Sequence, residues 1–322
     1  MPEPVEAVFP LGSHHGSTPS ATGPAALSGD LDVDRVRAVI NWFESEARDL
    51  PWRRADCTPW GVLVSEVMLQ QTPVARVEPV WRDWTRRWPT PADLAGATQA
   101  DAVRAWGRLG YPRRAQRLWE CARAIAERHA GEVPREVPEL LALPGIGDYT
   151  AAAVRSFAFG ERAVVLDTNV RRVIGRAWHG QALPPAHLAR AEREFAAALV
   201  PADVADAVAW SAGSMELGAL VCTARVARCE QCPLAGECEW LAHGKPGLDE
   251  APRRTQAWHG TDRQVRGRVL AVLRAASEPV NVTRLAVLED VEPGQLDRCL
   301  VSLVEDRLVA LVDKSKGAYA LG

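Results

Sequence analysis

"LPGIGDYTAAA", Leu143 to Ala153, sets two glycines either side of one isoleucine and then runs into an alanine-rich helical stretch. Glycine adopts positive φ and permits close backbone approach, and the first turn of a helix leaves N–H groups unpaired with a partial positive charge. A tight turn aimed into a helix start is an anion site. The same letters also spell an ordinary connector between two helices, with Pro144 and the glycines as punctuation. The surrounding sequence has to decide.

Most of that sequence reads as helix. "VDRVRAVINWFESEA", "WGVLVSEVMLQQT", "AQRLWECARAIAERHA" and "AHLARAEREFAAALV" carry apolar residues at helical spacing, and strand-like alternation is almost absent before residue 243. Residues 1–30, rich in Pro, Gly, Ser and Ala, read as a disordered tail, and 31–243 as one helical domain. Residues 244–260 hold Pro246, Pro252, Arg253 and Arg254 with little apolar content and read as a linker. A small unit follows at 261–322, with three short helices and two strands around a Ser-Lys-Gly turn, an order that looks like a winged helix. Such units serve as DNA binders or as interaction modules.

The 322 residues are 47% hydrophobic and 25% charged, an ordinary globular composition with room for two domains. The net charge of -3 is unevenly spread. Asp101 to Arg128 carries Arg104, Arg108, Arg113, Arg114, Arg117, Arg123 and Arg128 against Asp101, Glu120 and Glu127, which makes either a basic face or a solvated helix face. No apolar run is long enough to span a membrane and the N-terminus lacks the order of a secretory signal, so the expectation is a cytoplasmic, nucleoid-associated protein.

Cys57, Cys121 and Cys299 are isolated, whereas Cys222, Cys229, Cys232 and Cys238 crowd together with six, two and five residues between them. Four thiolates on one short loop suit a 4Fe-4S cluster and would also serve a structural zinc. A single C-x2-C flanked in this way favours the cluster, since zinc ribbons usually present two such knuckles. Arg225 and Arg228, between the first two cysteines, would project from a metal-pinned loop as phosphate holders.

Taken together, "LPW" (50–52), "SEVMLQQT" (65–72), "LGY" (109–111), "LPGIGDYTA", "VLDTNV" (165–170) and the four cysteines resemble the helix-hairpin-helix DNA glycosylases, and within them the adenine glycosylases. The resemblance covers about residues 32–240. It implies an all-α helix-hairpin-helix glycosylase fold with an iron-sulfur loop, here followed by the winged-helix-like unit. In that family the opening stretch is a hairpin whose amides, here those of Gly145 and Gly147, hold a DNA phosphate. The implied partner is double-stranded DNA containing a mispaired adenine, engaged by a monomer.

Hydrolysing an N-glycosidic bond calls for an acid for the departing base and a negative charge for the oxocarbenium-like sugar. Glu66, on a helix face with Val62, Leu63, Leu69 and Gln70, is expected to be half-buried with a raised pKa, ready to donate to adenine. Asp167 stands where a helix N-cap belongs; the resemblance adds the role of ionised carboxylate facing the anomeric carbon. It further implies that Tyr149 and Asn169 flank the site, that Gln70 and Gln71, following Glu66 on the same helix, form the wedge that fills the gap of a flipped adenine, and that Tyr111 stacks near the oxidised guanine opposite it. Packed aromatics and a helix surface are the plainer readings of these residues.

Two alternatives remain. An endonuclease-III-type glycosylase, acting on oxidised pyrimidines and cleaving the strand, carries a lysine where this chain has Tyr149, and a phenol forms no Schiff base. A non-catalytic iron-sulfur DNA-binding protein would have no need of both Glu66 and Asp167. The chain departs from typical adenine glycosylases at Thr168, usually glycine, and at Pro112, usually a second tyrosine. Residues after Trp240 are also too few for the Nudix-like domain that many of them carry.

Overall fold

The computed structural model describes residues 29–247, 259–286 and 292–322. Residues 1–28 of the expected tail at 1–30, and most of the expected linker, 248–258, lie outside the described residues, while Asp30 already begins the first helix. Twelve helices make up residues 30–242: α1 (Asp30–Glu46), α2 (Pro59–Leu69), α3 (Val74–Arg87), α4 (Pro91–Gly96), α5 (Gln99–Trp106), α6 (Arg113–Arg128), α7 (Val137–Leu141), α8 (Asp148–Phe159), α9 (Thr168–His179), α10 (Arg190–Leu199), α11 (Val204–Leu220) and α12 (Glu239–Ala242). Among the described residues no helix is long and apolar enough to cross a membrane.

Local chemistry sets the boundaries. Thr90 with Asp93 and Thr98 with Asp101 form reciprocal capping boxes at the starts of α4 and α5. Asp167 accepts the Val170 amide and starts α9, as expected of an N-cap. Helices α8 and α9 stop at Gly160 and Gly180, both left-handed. Helix α2 is buried from Trp60 to Met68, apolar on every side but for Ser65 and Glu66, so it forms the spine of the fold rather than one of its outer faces.

The apolar interior falls into two clusters. One gathers α2, α3, α5, α6 and α8 around Leu63, Met68, Trp84 and Trp106; the other gathers α1, α9, α10 and α11 around Ile40, Ile174, Trp210 and Leu217. The chain enters the second cluster with α1, crosses to the first for α2 to α8, and returns with α9. This out-and-back path leaves a cleft between the two cores.

The C-terminal unit follows the helix and strand order of a winged helix: α13 (Asp262–Ala275), β1 (Val280–Asn281), α14 (Val282–Leu285), α15 (Gln295–Glu305), β2 (Val309–Asp313) and β3 (Ala318–Leu321). Its sheet is antiparallel in the order β1-β3-β2, with Leu311 opposite Tyr319 and an irregularity between Leu311 and Asp313. Val265, Val269, Leu300 and Leu308 extend the first core, so this unit is packed onto the helical domain rather than held by a tether alone.

Candidate active site

The cleft between the cores encloses about 1000 Å3. Glu66, Gln70 and Tyr149 reach it from the first core; Asp167, Asn169 and Glu216 reach it from the second. Helical position alone implied a half-buried Glu66, but the residue is only 5% exposed, because α2 is enclosed on all sides. Burial, together with the nearby Asp167 charge, pushes its carboxyl up to about 7 despite a hydrogen bond from Tyr149. The Tyr149 hydroxyl donates to Glu66 Oε2 at 2.7 Å, and burial keeps that phenol well above its ordinary pKa. Tyr149 is therefore a fixed donor, and Glu66 Oε1 is the oxygen left to carry a proton.

Asp167 is bound differently. Its Oδ1 accepts the Val170 amide at 2.7 Å and its Oδ2 accepts Asn169 Nδ2 at 2.6 Å. Arg172 Nη2 donates to Asn169 Oδ1 at 2.8 Å, which settles which end of the amide faces the carboxylate. Burial raises the Asp167 pKa, while these donors and the Arg172 charge oppose it. Two carboxyls thus meet one cleft, one next to a neutral phenol and the other at a helix N-terminus among N–H donors.

The hairpin has the expected geometry. Gly145 is left-handed at φ +81°, and a Cβ there would lie 2.9 Å from Arg117 Cβ. Gly147 is the N-cap of α8, and neither its amide nor that of Gly145 donates to an acceptor among the described residues. Both glycines lie outside the cleft.

The HhH-GPD superfamily base excision DNA repair protein family matches residues 64–197. The adenine DNA glycosylase of Mycobacterium tuberculosis is 50% identical over 301 residues, 90% of this chain and 93% of that protein. That of Mycolicibacterium smegmatis is 51% identical over 283 residues, covering 88% and 94%. Among solved structures, a thermostable thymine-DNA glycosylase superposes with a TM-score of 0.59 at 29% identity, over 66% of this chain and 99% of that one. The chain belongs to the adenine DNA glycosylase family.

The only lysines of the chain are Lys245, Lys314 and Lys316, all beyond the cleft, and none lines it.

One cleft residue escaped the sequence reading. Glu216, on α11 and 1% exposed, accepts Arg48 Nε and Nη2, both at 2.7 Å, and Arg53 Nη2 at 2.9 Å. Burial alone would raise its pKa, but the two guanidiniums overcome that and pull it down to about 2. Its partners are 168 and 163 residues away in sequence, so no local pattern announces it.

Gln70 and Gln71 line the cleft but are not on the Glu66 helix: α2 ends at Leu69, and Gln71 is left-handed at φ 55°. Arg114 ends the helix from outside, donating to the carbonyls of Val67 at 3.0 Å and Met68 at 3.1 Å, to that of Gln70, and to Thr72 Oγ1 at 2.9 Å. Tyr111 lies outside the cleft and is 44% exposed, which excludes the packed-core reading. Three of the seven arginines in the run around it pair along their own helices, Arg104 with Asp101, Arg117 with Glu120 and Arg123 with Glu127.

Cys222, Cys229, Cys232 and Cys238 surround one small hollow behind α9, closed by Trp240 and Leu241, and none is in a disulfide. Among the described residues no group of three or more Cys, His, Asp or Glu is placed to grip a single metal ion. Arg176 donates to Cys222 Sγ at 3.4 Å and to the carbonyls of Thr223 and Ala224, with its guanidinium 4.2 Å from the Trp240 ring centre. Converging sulfurs beside a buried cation suit an anionic thiolate-bound group. Arg225 and Arg228 are exposed on the same loop, away from the cleft.

Proposed function

We propose that the chain is a monofunctional DNA glycosylase of base excision repair that hydrolyses the N-glycosidic bond of adenine mispaired with 8-oxoguanine or guanine. The observation that carries this is the pairing in one cleft of a carboxyl held near neutrality, Glu66, with a carboxylate fixed among donors, Asp167. Family membership supports adenine as the base.

The residues divide the work as follows. Hairpin amides and the exposed Arg225 and Arg228 hold phosphates, which gives affinity without sequence information. Gln70 and Gln71 fill the stack that the adenine leaves. Glu66 donates its proton to the departing adenine, with Tyr149 holding the acid in place. Negative charge on Asp167, oriented by Asn169 and the Val170 amide, stabilises the sugar cation until water adds, and the proton that water loses returns to the Glu66 carboxylate. Cys222, Cys229, Cys232 and Cys238 would hold a 4Fe-4S cluster, whose contribution is to tie the basic loop into one shape.

The test is a gel assay on duplexes with adenine opposite 8-oxoguanine, guanine, cytosine or thymine. Adenine release opposite the first two, with strand breaks appearing only after alkali, is the expected result; breaks without alkali, or release of an oxidised pyrimidine instead, would contradict the reading. Asp167→Asn should bind the mispaired duplex yet lose excision by about a thousandfold. Purified protein should be yellow-brown with broad visible absorption, and a colourless preparation with one zinc and no iron would remove the cluster from the account.

A further inference from the structure

We propose that Arg35 of α1 is a positioning residue for the thiolate-bound group: it pins the Cys238 arm of the cysteine loop, as Arg176 of α9 pins the Cys222 arm. This rests on the cluster reading above and gives α1 a part in keeping the group bound.

The two arms meet different charges. At the first, Arg176 bonds Cys222 Sγ and the carbonyls of Thr223 and Ala224. At the second, Cys238 stands between two acids, Glu237 and Glu239. Four deprotonated thiolates make the bound group anionic, and acids on both sides of one ligand are repelled by it. A cation has to offset them.

Arg35 is that cation. It is only 5% exposed, and its Nη2 donates to the Glu237 carbonyl at 2.6 Å across 202 positions of sequence. The same guanidinium lies 3.7 Å from a carboxylate oxygen of Glu237 and 3.6 Å from one of Glu239. Its Nε is buried without a hydrogen-bond partner. A buried donor left unsatisfied costs stability, so filling space does not explain an arginine here, whereas its charge and its bond to the loop do.

The arginine works from a fixed base. Asp32, one turn earlier on α1, accepts Trp178 Nε1 at 2.6 Å and lies 3.9 Å from Arg35 Nη1, and the Arg35 guanidinium is 5.4 Å from the Trp178 ring centre. Trp178 belongs to α9, the helix that carries Arg176. Both pins therefore stand on one frame, and they hold the loop from its two ends.

The experiment follows the purified full chain in air with a chelator, visible absorption reporting the cluster and far-ultraviolet circular dichroism the helices. Arg35→Met keeps an unbranched stem but neither the charge nor the donors. It should bleach about tenfold faster than wild type while the helical signal holds. Arg37→Met, which removes the exposed pair with Asp206 (3.0 and 2.7 Å) from the same helix, should bleach at the wild-type rate. Should Arg35→Met not fold, Arg35→Lys keeps the charge without the fork and should still bleach faster than wild type. Bleaching at the wild-type rate in whichever variant folds, loss of absorption only in step with the helical signal, equal bleaching in Arg37→Met, or failure of both Arg35 variants to fold would overturn the proposal. A colourless wild type without iron removes the cluster first and this inference with it; a yellow-brown wild type matched by Arg35→Met removes the inference alone.

Discussion

Glu66 and Glu216 face one cleft from opposite walls, each almost out of solvent at 5% and 1% exposure, yet one carboxyl is pushed up to about 7 and the other drawn down to about 2. Burial raises both. The difference lies in what each oxygen meets. Glu216 takes the fork of Arg48 and one nitrogen of Arg53, and so remains an anion at any physiological pH. Glu66 meets a neutral phenol, feels the Asp167 charge, and has only a weak claim on Arg53, whose Nη2 is already bonded to Glu216. Two glutamates in one cavity thus become an acid and an anchor.

The largest way to break this contrast is at Glu66 itself. Glu66→Gln should lower single-turnover excision by roughly 10²- to 10⁴-fold while leaving the protein folded and bound to mispaired duplex. The same change should stabilise the fold. A carboxyl with a raised folded pKa binds its proton more tightly in the native state, so its burial costs nothing below about pH 4 and progressively more until pH passes about 7. Thermal unfolding should therefore find the variant more stable than wild type by roughly 3 kcal/mol at pH 8, with the difference gone near pH 4.

Glu216→Gln should do the reverse. Removing the anion leaves two part-buried guanidiniums without it, at a cost of about 3–5 kcal/mol at neutral pH. Because the Glu216 pKa is depressed, the stability it provides is complete above the ordinary carboxyl range and lost as pH falls through about 2, so wild type and variant should converge in strong acid. Freed from Glu216, Arg53 should also lower the Glu66 pKa and move the pH limb of excision downward. A variant as stable as wild type at pH 7 would mean that the anchor does not hold.

Tyr149→Phe is the smallest change and the sharpest. Its hydroxyl lowers the Glu66 pKa, so removing it should raise that pKa and move the limb upward. A limb that stays in place would show that the hydrogen bond does not tune the acid.

Much of this was readable from local pattern. The Asp167 cap, the glycine hairpin and the helical spacing that places Glu66 inside all depend on residues within a few positions of each other. What was not readable depends on distant partners. The QQT segment continues an apolar helical rhythm, and only Arg114, 44 residues on, shows why the helix stops at Leu69. The Arg263 guanidinium over the Tyr111 ring was equally hidden, because α13 belongs to another part of the chain. Strand β1 is two residues long, too short for alternation to reveal, and exists because β3 pairs with it.

The central claim is that Glu66 enters the reaction protonated. Single-turnover excision of adenine opposite 8-oxoguanine, measured from pH 5 to 9 for wild type and Glu66→Gln, tests it most directly. Wild-type rate should fall as pH rises through about 7, with the residual activity of the variant lacking that limb. A wild-type rate that stays flat or climbs across this range, or a variant within a few-fold of wild type, would show that Glu66 is not the acid.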